Sequence, residues 1–237
     1  RQQSQTLLVF LPSAMRKDAR RVPAFHRWSW SRHLKEFDVL CVSDPTVRLH
    51  EDVLGGWLLG NSQTWALEQM LTHVGKLQEN LGYQNVVFCG SSLGGFCALQ
   101  AAAKASEFGV TLGTGGAYAE NPQINLMTYQ VAAAIDLLAR VGFGAIDRHQ
   151  VDQEFVSRFS VVDTMRRSSS IPRGLVVIKE SDHHHFNEQV PVLEDFLEDQ
   201  KSCAIQVEVI SAEEDATGHT PLTITQMKER ILTLLAR

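Results

Sequence analysis

Residues 86–103 read, in one stretch, as a strand, a sharp turn and a helix. The apolar run Val86-Val87-Phe88-Cys89 leads into Gly90-Ser91-Ser92-Leu93-Gly94, and Phe96-Cys97-Ala98-Leu99-Gln100-Ala101-Ala102-Ala103 leads out. The turn spells G-x-S-x-G with Ser92 at its centre. Glycines on either side let the chain reverse without a Cβ clash, which lifts the central hydroxyl above the end of a sheet. A strand passing directly into a helix in this way demands a sheet with helices packed on it, and it makes Ser92 a candidate nucleophile.

The remaining apolar runs fit that demand. Thr6–Leu11, Phe37–Val42, Asn85–Cys89, Val110–Leu112, Leu175–Ile178 and Ala204–Ile210 read as six strands. Helical spacing over residues 62–80, 92–106, 188–197 and 224–235 separates or follows them. Continuous apolar strands alternating with helices predict a mostly parallel central sheet covered on both faces, a three-layer α/β architecture. At 237 residues the chain is expected to form one domain, 1–237. Residues 120–170 hold no strand signal, and their apolar run Leu126–Val141 predicts a small helical cap inserted over the sheet.

Composition narrows the function classes. Hydrophobic residues make up 44% and charged residues 21%, enough to build a core, and the net charge of −5 gives no footprint for nucleic acid or an anionic membrane. The longest apolar runs fall short of the roughly 20 residues of a membrane helix, and no signal peptide is recognised. Cys41, Cys89, Cys97 and Cys203 form no C-x-x-C pair and are expected as free thiols, which favours a reducing, cytoplasmic location. Oligomeric state is not legible.

A serine hydroxyl needs a base, and the base needs an acid to hold it. On this architecture the partners follow the nucleophile in the order acid, then histidine, in loops past the carboxyl ends of later strands. Lys179-Glu180-Ser181-Asp182-His183 follows the fifth strand, and Ser211–Thr217 with Gly218-His219-Thr220 follows the sixth. His219 is the candidate base and Asp182 the candidate acid, with Glu180 its competitor; Glu213, Glu214 and Asp215, in the same loop as His219, are weaker candidates that also fit a solvated acidic turn. Three consecutive histidines, His183-His184-His185, rarely converge on one ion, so no metal site is predicted and they are expected at the rim or surface. The oxyanion hole needs two backbone N–H groups. One is expected from Leu93, and the other from Ser13 or Ala14 in the turn after the first strand, because Pro12 has no N–H.

With Gly90–Gly94, Asp182 after a strand and Gly218-His219 before the last helix, the chain resembles the α/β-hydrolase superfamily over nearly its whole length. That resemblance implies acyl chemistry through a covalent serine ester, with Ser92, Asp182 and His219 as its triad and no cofactor. Phe25-His26-Arg27-Trp28-Ser29-Trp30, Asp44-Pro45-Thr46, Gly56-Trp57-Leu58-Leu59-Gly60 and Gly90–Phe96 look like a bacterial branch linked to O-acetylation of capsule polysaccharides and surface glycoproteins. That branch implies a sugar hydroxyl as acceptor and acetyl-CoA as donor, although no separate nucleotide-binding motif is present. Trp28, Trp30 and Trp57 could then stack on sugar rings, and Arg27 could hold an anionic group. The structural alternatives are core packing for the tryptophans and a surface salt bridge for Arg27. A small-molecule ester or a glycan is the expected partner. A non-catalytic binding or assembly protein on the same fold is the alternative function.

Overall fold

A computed structural model describes residues 4–19 and 21–237. Six strands run in one parallel sheet: β1 (Thr6–Phe10), β2 (Asp38–Cys41), β3 (Asn85–Ser91), β4 (Gly116–Glu120), β5 (Gly174–Lys179) and β6 (Ile205–Ile210). Their spatial order is β2-β1-β3-β4-β5-β6. Every neighbouring pair is parallel, from Leu7 beside Asp38 at one edge to Gly174 beside Ile205 near the other.

The two-residue period of each strand sorts side chains into two cores. Leu7, Val9, Val86, Phe88, Ala117, Ala119, Val176 and Ile178 face one side. There they meet α1 (Ala66–Leu81), α2 (Leu93–Lys104), α3 (Ala132–Phe143), α4 (Val161–Ser168) and α5 (Val190–Asp199). Leu8, Phe10, Val87, Cys89, Tyr118, Leu175 and Val177 face the other, under α6 (Ile224–Ala236) and the segment bearing Leu34 and Phe37. The expected three layers are present.

The fourth strand lies elsewhere than expected. Residues 110–112 form a connector, and the chain turns at Gly113, where φ is +61°, before the strand starts at Gly116. The run 126–141 is also not one helix: a short 3-10 turn at Leu126–Thr128 precedes α3. Within 121–173 the described residues contain no strand. Its two helices part company. α4 joins the helical layer, where Gln100 Nε2 donates to Thr164 Oγ1 at 2.8 Å, whereas α3 borders the cavity beside Ser92. No helix among the described residues is long and apolar enough to cross a membrane. All four cysteines are free; Cys89 and Cys97 are buried and Cys203 is exposed.

Candidate active site

Loops leaving the carboxyl ends of β1, β3, β4, β5 and β6 converge at one edge of the sheet, next to the β1/β3 point where strand order reverses, the usual place for a ligand in such sheets. Ser92 follows β3 directly. Its backbone is held at φ 54°, ψ −121°, a conformation that L side chains rarely adopt. Two contacts pin it there: Ser92 N donates to Glu120 O at 2.8 Å, and Phe96 N to Ser92 O at 3.1 Å. The flanking glycines are required sterically. A Cβ on Gly90 would lie 2.2 Å from the Gly94 backbone, and one on Gly94 2.7 Å from Pro12 O.

Asp182 and His219 meet as expected, with Asp182 Oδ2 accepting from His219 Nδ1 at 2.5 Å. Glu180 is exposed and its carboxylate accepts from Ala212 N, away from the imidazole. The second oxygen of Asp182 takes a histidine that was expected at the rim. His185 is buried, 1% exposed, and its Nδ1 lies 2.9 Å from Asp182 Oδ1. The two imidazoles stack at 4.4 Å between centroids. Burial alone would raise the Asp182 pKa, but the hydrogen bonds from His185 and His219 hold it well below the carboxylate range, so it is an anion. For His185 burial outweighs the attraction of Asp182 and lowers its pKa, favouring the neutral ring.

Gln123, just past β4 and fully buried, ties this pair to the serine. Trp57 Nε1 is a donor only and sits 3.2 Å from Gln123 Oε1, which fixes the amide orientation. The Gln123 NH₂ therefore donates in both other directions, to Ser92 Oγ at 2.9 Å and to His185 Nε2 at 2.9 Å. His185 must then carry its proton on Nδ1, facing Asp182, and its Nε2 is occupied. The recorded connection runs Ser92–Gln123–His185–Asp182–His219, and Ser92 Oγ has no hydrogen bond to His219 among the described residues.

The oxyanion donors separate in the same way. Ser13 N donates to His26 Nδ1 at 3.2 Å, and Met15 N donates to Leu54 O at 2.7 Å. Burial lowers the His26 pKa, which keeps that ring nitrogen available as an acceptor. Ser13 is thus committed, and Ala14 N is left as the candidate. Leu93 opens α2, where the first N–H groups have no partner inside the helix.

The aromatic and basic calls divide. Trp28 is exposed. Trp30 packs edge-on against Phe10 at 6.4 Å and under the Arg27 guanidinium at 5.1 Å, a packing role. Trp57 is 5% exposed, bonded to Gln123, with the rest of its ring on the cavity wall. Its loop is tied by Asp44, whose buried carboxylate accepts from Thr46 N, Gly56 N and Leu58 N at 2.9, 3.0 and 3.2 Å. This explains why Asp44-Pro45-Thr46 and Gly56–Gly60 occur together. Arg27 is not a surface salt bridge: its side chain is largely buried, donates to Ser91 Oγ at 2.8 Å and lies 3.5 Å from buried Glu120.

Asp182, His185 and His219 each place one donor atom within 4.8 Å of the others. Both Nδ1 atoms already lie against the carboxylate, so a cation there would have to displace two hydrogen bonds.

No family model matches the chain, and no curated protein matches it in sequence. Solved structures do match in shape. The capsule O-acetyltransferase of Neisseria meningitidis serogroup A superposes with a TM-score of 0.71 at 15% identity, covering 100% of this chain and 89% of that one. Esterase B of Lactobacillus rhamnosis gives 0.63 at 12%, covering 98% and 75%. An S-formylglutathione hydrolase of Agrobacterium tumefaciens gives 0.60 at 16%, covering 98% and 83%. The chain has the α/β-hydrolase fold.

Proposed function

We propose that this protein is a serine-dependent acyl-transfer enzyme in which Ser92 carries the acyl group, His219 is the base and Asp182 orients it. The observation that carries the reading is the Asp182–His219 bond at 2.5 Å on the same sheet edge as a serine held at φ 54°. Of the two imidazoles on Asp182, only His219 keeps Nε2 unengaged, since Gln123 occupies that atom of His185.

In the first half-reaction Ser92 Oγ bonds to the acyl carbon as its proton passes to His219 Nε2. The oxyanion leans on Leu93 N–H and Ala14 N–H. Collapse breaks the bond to the leaving oxygen, which takes the proton back from His219. In the second half, water or an acceptor hydroxyl repeats the sequence and frees Ser92. Asp182, anionic throughout, stabilises the imidazolium.

Water as acceptor makes an esterase. The full-length likeness to a capsule O-acetyltransferase supports a second acceptor, a sugar hydroxyl, with acetyl-CoA as donor. A fluorophosphonate should label Ser92 in the native protein and leave Ser92→Ala unlabelled; a folded protein that resists labelling is not a serine enzyme. Acetyl release from an aryl acetate, with and without sugars, separates the acceptors: diversion to the sugar marks transfer.

A further inference from the structure

Beside Ser92 lies a cavity of about 240 Å³. Leu54, Trp57, Leu93, Tyr129, Ala134 and Leu137 are among the residues that line it. Val131, Ala134 and Leu137 recur every third residue, so they share the face that α3 turns toward the serine. The lining is apolar apart from Ser92 itself, the Tyr129 hydroxyl and Asp52 at the edge, and Asp52 is bound to Lys17 at 2.7 Å.

The position of the cavity decides which half of a substrate it takes. The leaving oxygen must reach the imidazole that protonates it, so the alcohol side of an ester stands over His219. His219 is not part of the cavity wall, whereas Ala14 and Leu93, the two oxyanion candidates, are. A carbonyl whose oxygen sits between those N–H groups therefore directs its acyl chain into the cavity.

We infer that this cavity is the acyl-chain pocket of the esterase branch of the reaction proposed above, on which the inference rests and which it favours over acetyl transfer, and that its substrates carry straight aliphatic acyl groups of about four to eight carbons. The length follows from volume. At roughly 30 Å³ per small non-hydrogen group the space holds about eight of them. The single methyl of an acetyl group would leave most of an apolar chamber to water, and each buried methylene is worth up to about fourfold in kcat/KM. A charged or sugar-like acyl moiety would meet only the Tyr129 hydroxyl and an Asp52 already paired with Lys17 in this lining.

The test is a series of p-nitrophenyl esters from acetate to dodecanoate on the intact protein, with fluorophosphonate labelling of Ser92 alongside. The wild type should peak between butanoate and octanoate, with hexanoate favoured over acetate by at least about tenfold. Ala134→Phe fills the chamber and should collapse that ratio toward unity; Ala134→Leu, a milder change, should shift the peak to shorter esters, with thermal melting confirming that both fold. A profile that peaks at acetate while Ser92 is labelled overturns the pocket and leaves the acyl-enzyme reading standing. A folded protein with no labelling and no ester hydrolysis overturns both.

Discussion

Gln123 gathers more of the site than any side chain in the proposed triad. It accepts from Trp57 and donates to Ser92 and His185, so one amide fixes an indole, a hydroxyl and a tautomer. Gln123→Leu keeps the size but removes all three bonds and leaves Trp57 Nε1 buried without an acceptor. The expected cost is about 2 kcal/mol in a urea titration, together with a roughly tenfold fall in kcat and little change in KM, since in the proposed reaction the acyl group bonds to Ser92 and Gln123 acts only through it. Ser92, Asp182 and His219 could be picked out residue by residue because each stands at a fixed place relative to a strand end. Gln123 could not, because the strand that precedes it was assigned to Val110–Leu112 instead of Gly116–Glu120. His185 had a signal in its spacing, three residues beyond Asp182 and on the same helical turn. Arg27 had none: its partner Glu120 is 93 residues away.

Among the elements, β4 shows packing overruling propensity. Gly116-Ala117-Tyr118-Ala119-Glu120 is poor in β-branched residues, yet it is a central strand, buried throughout. Ala117 and Ala119 face the core that contains α2, and small side chains let the helix after the elbow lie close to the sheet. The loop between β6 and α6 illustrates a second kind of long-range control. It carries His219 and is tied to β5 by one buried cation: Lys179 Nζ donates to Thr217 Oγ1 at 2.8 Å and to Thr220 O at 2.6 Å, and pairs with Asp215 at 2.7 Å. Lys179, through its hydrogen bond, and then Thr217 pull the Asp215 pKa down to about 2. Lys179→Met should destabilise the protein by about 3 kcal/mol, measured by urea unfolding, and lower kcat, because the loop that aims His219 loses its anchor. Unchanged kcat would show that Asp182 alone aims the ring.

Across the whole molecule, buried ionisable groups tie stability to pH, and His185 gives a clean test. Its folded pKa lies below the ordinary 6.5. As pH falls through about 6.5, the unfolded chain takes up a proton at this residue and the folded chain does not, so stability is lost toward acid, by at most about 1.4 kcal/mol per pH unit. Urea unfolding of the wild type and His185→Gln at about pH 7 and pH 5 should show the larger acid loss in the wild type. Asp44 and Glu120, whose pKa values burial raises, remain in both proteins and cancel. Equal losses would mean that His185 titrates normally in the fold. The sequence by itself determined the alternation of strands and helices, the elbow and the order serine, acid, histidine, since these follow from local periodicity and from turns that only glycine permits. Tertiary structure decided which imidazole has its Nε2 taken by Gln123, that Ser13 N is committed to His26, that Arg27 serves Ser91 and Glu120, and that α3 borders an apolar cavity beside Ser92. Each of those depends on groups far apart in the chain competing for the same few donors and acceptors, and only the packed molecule settles that competition.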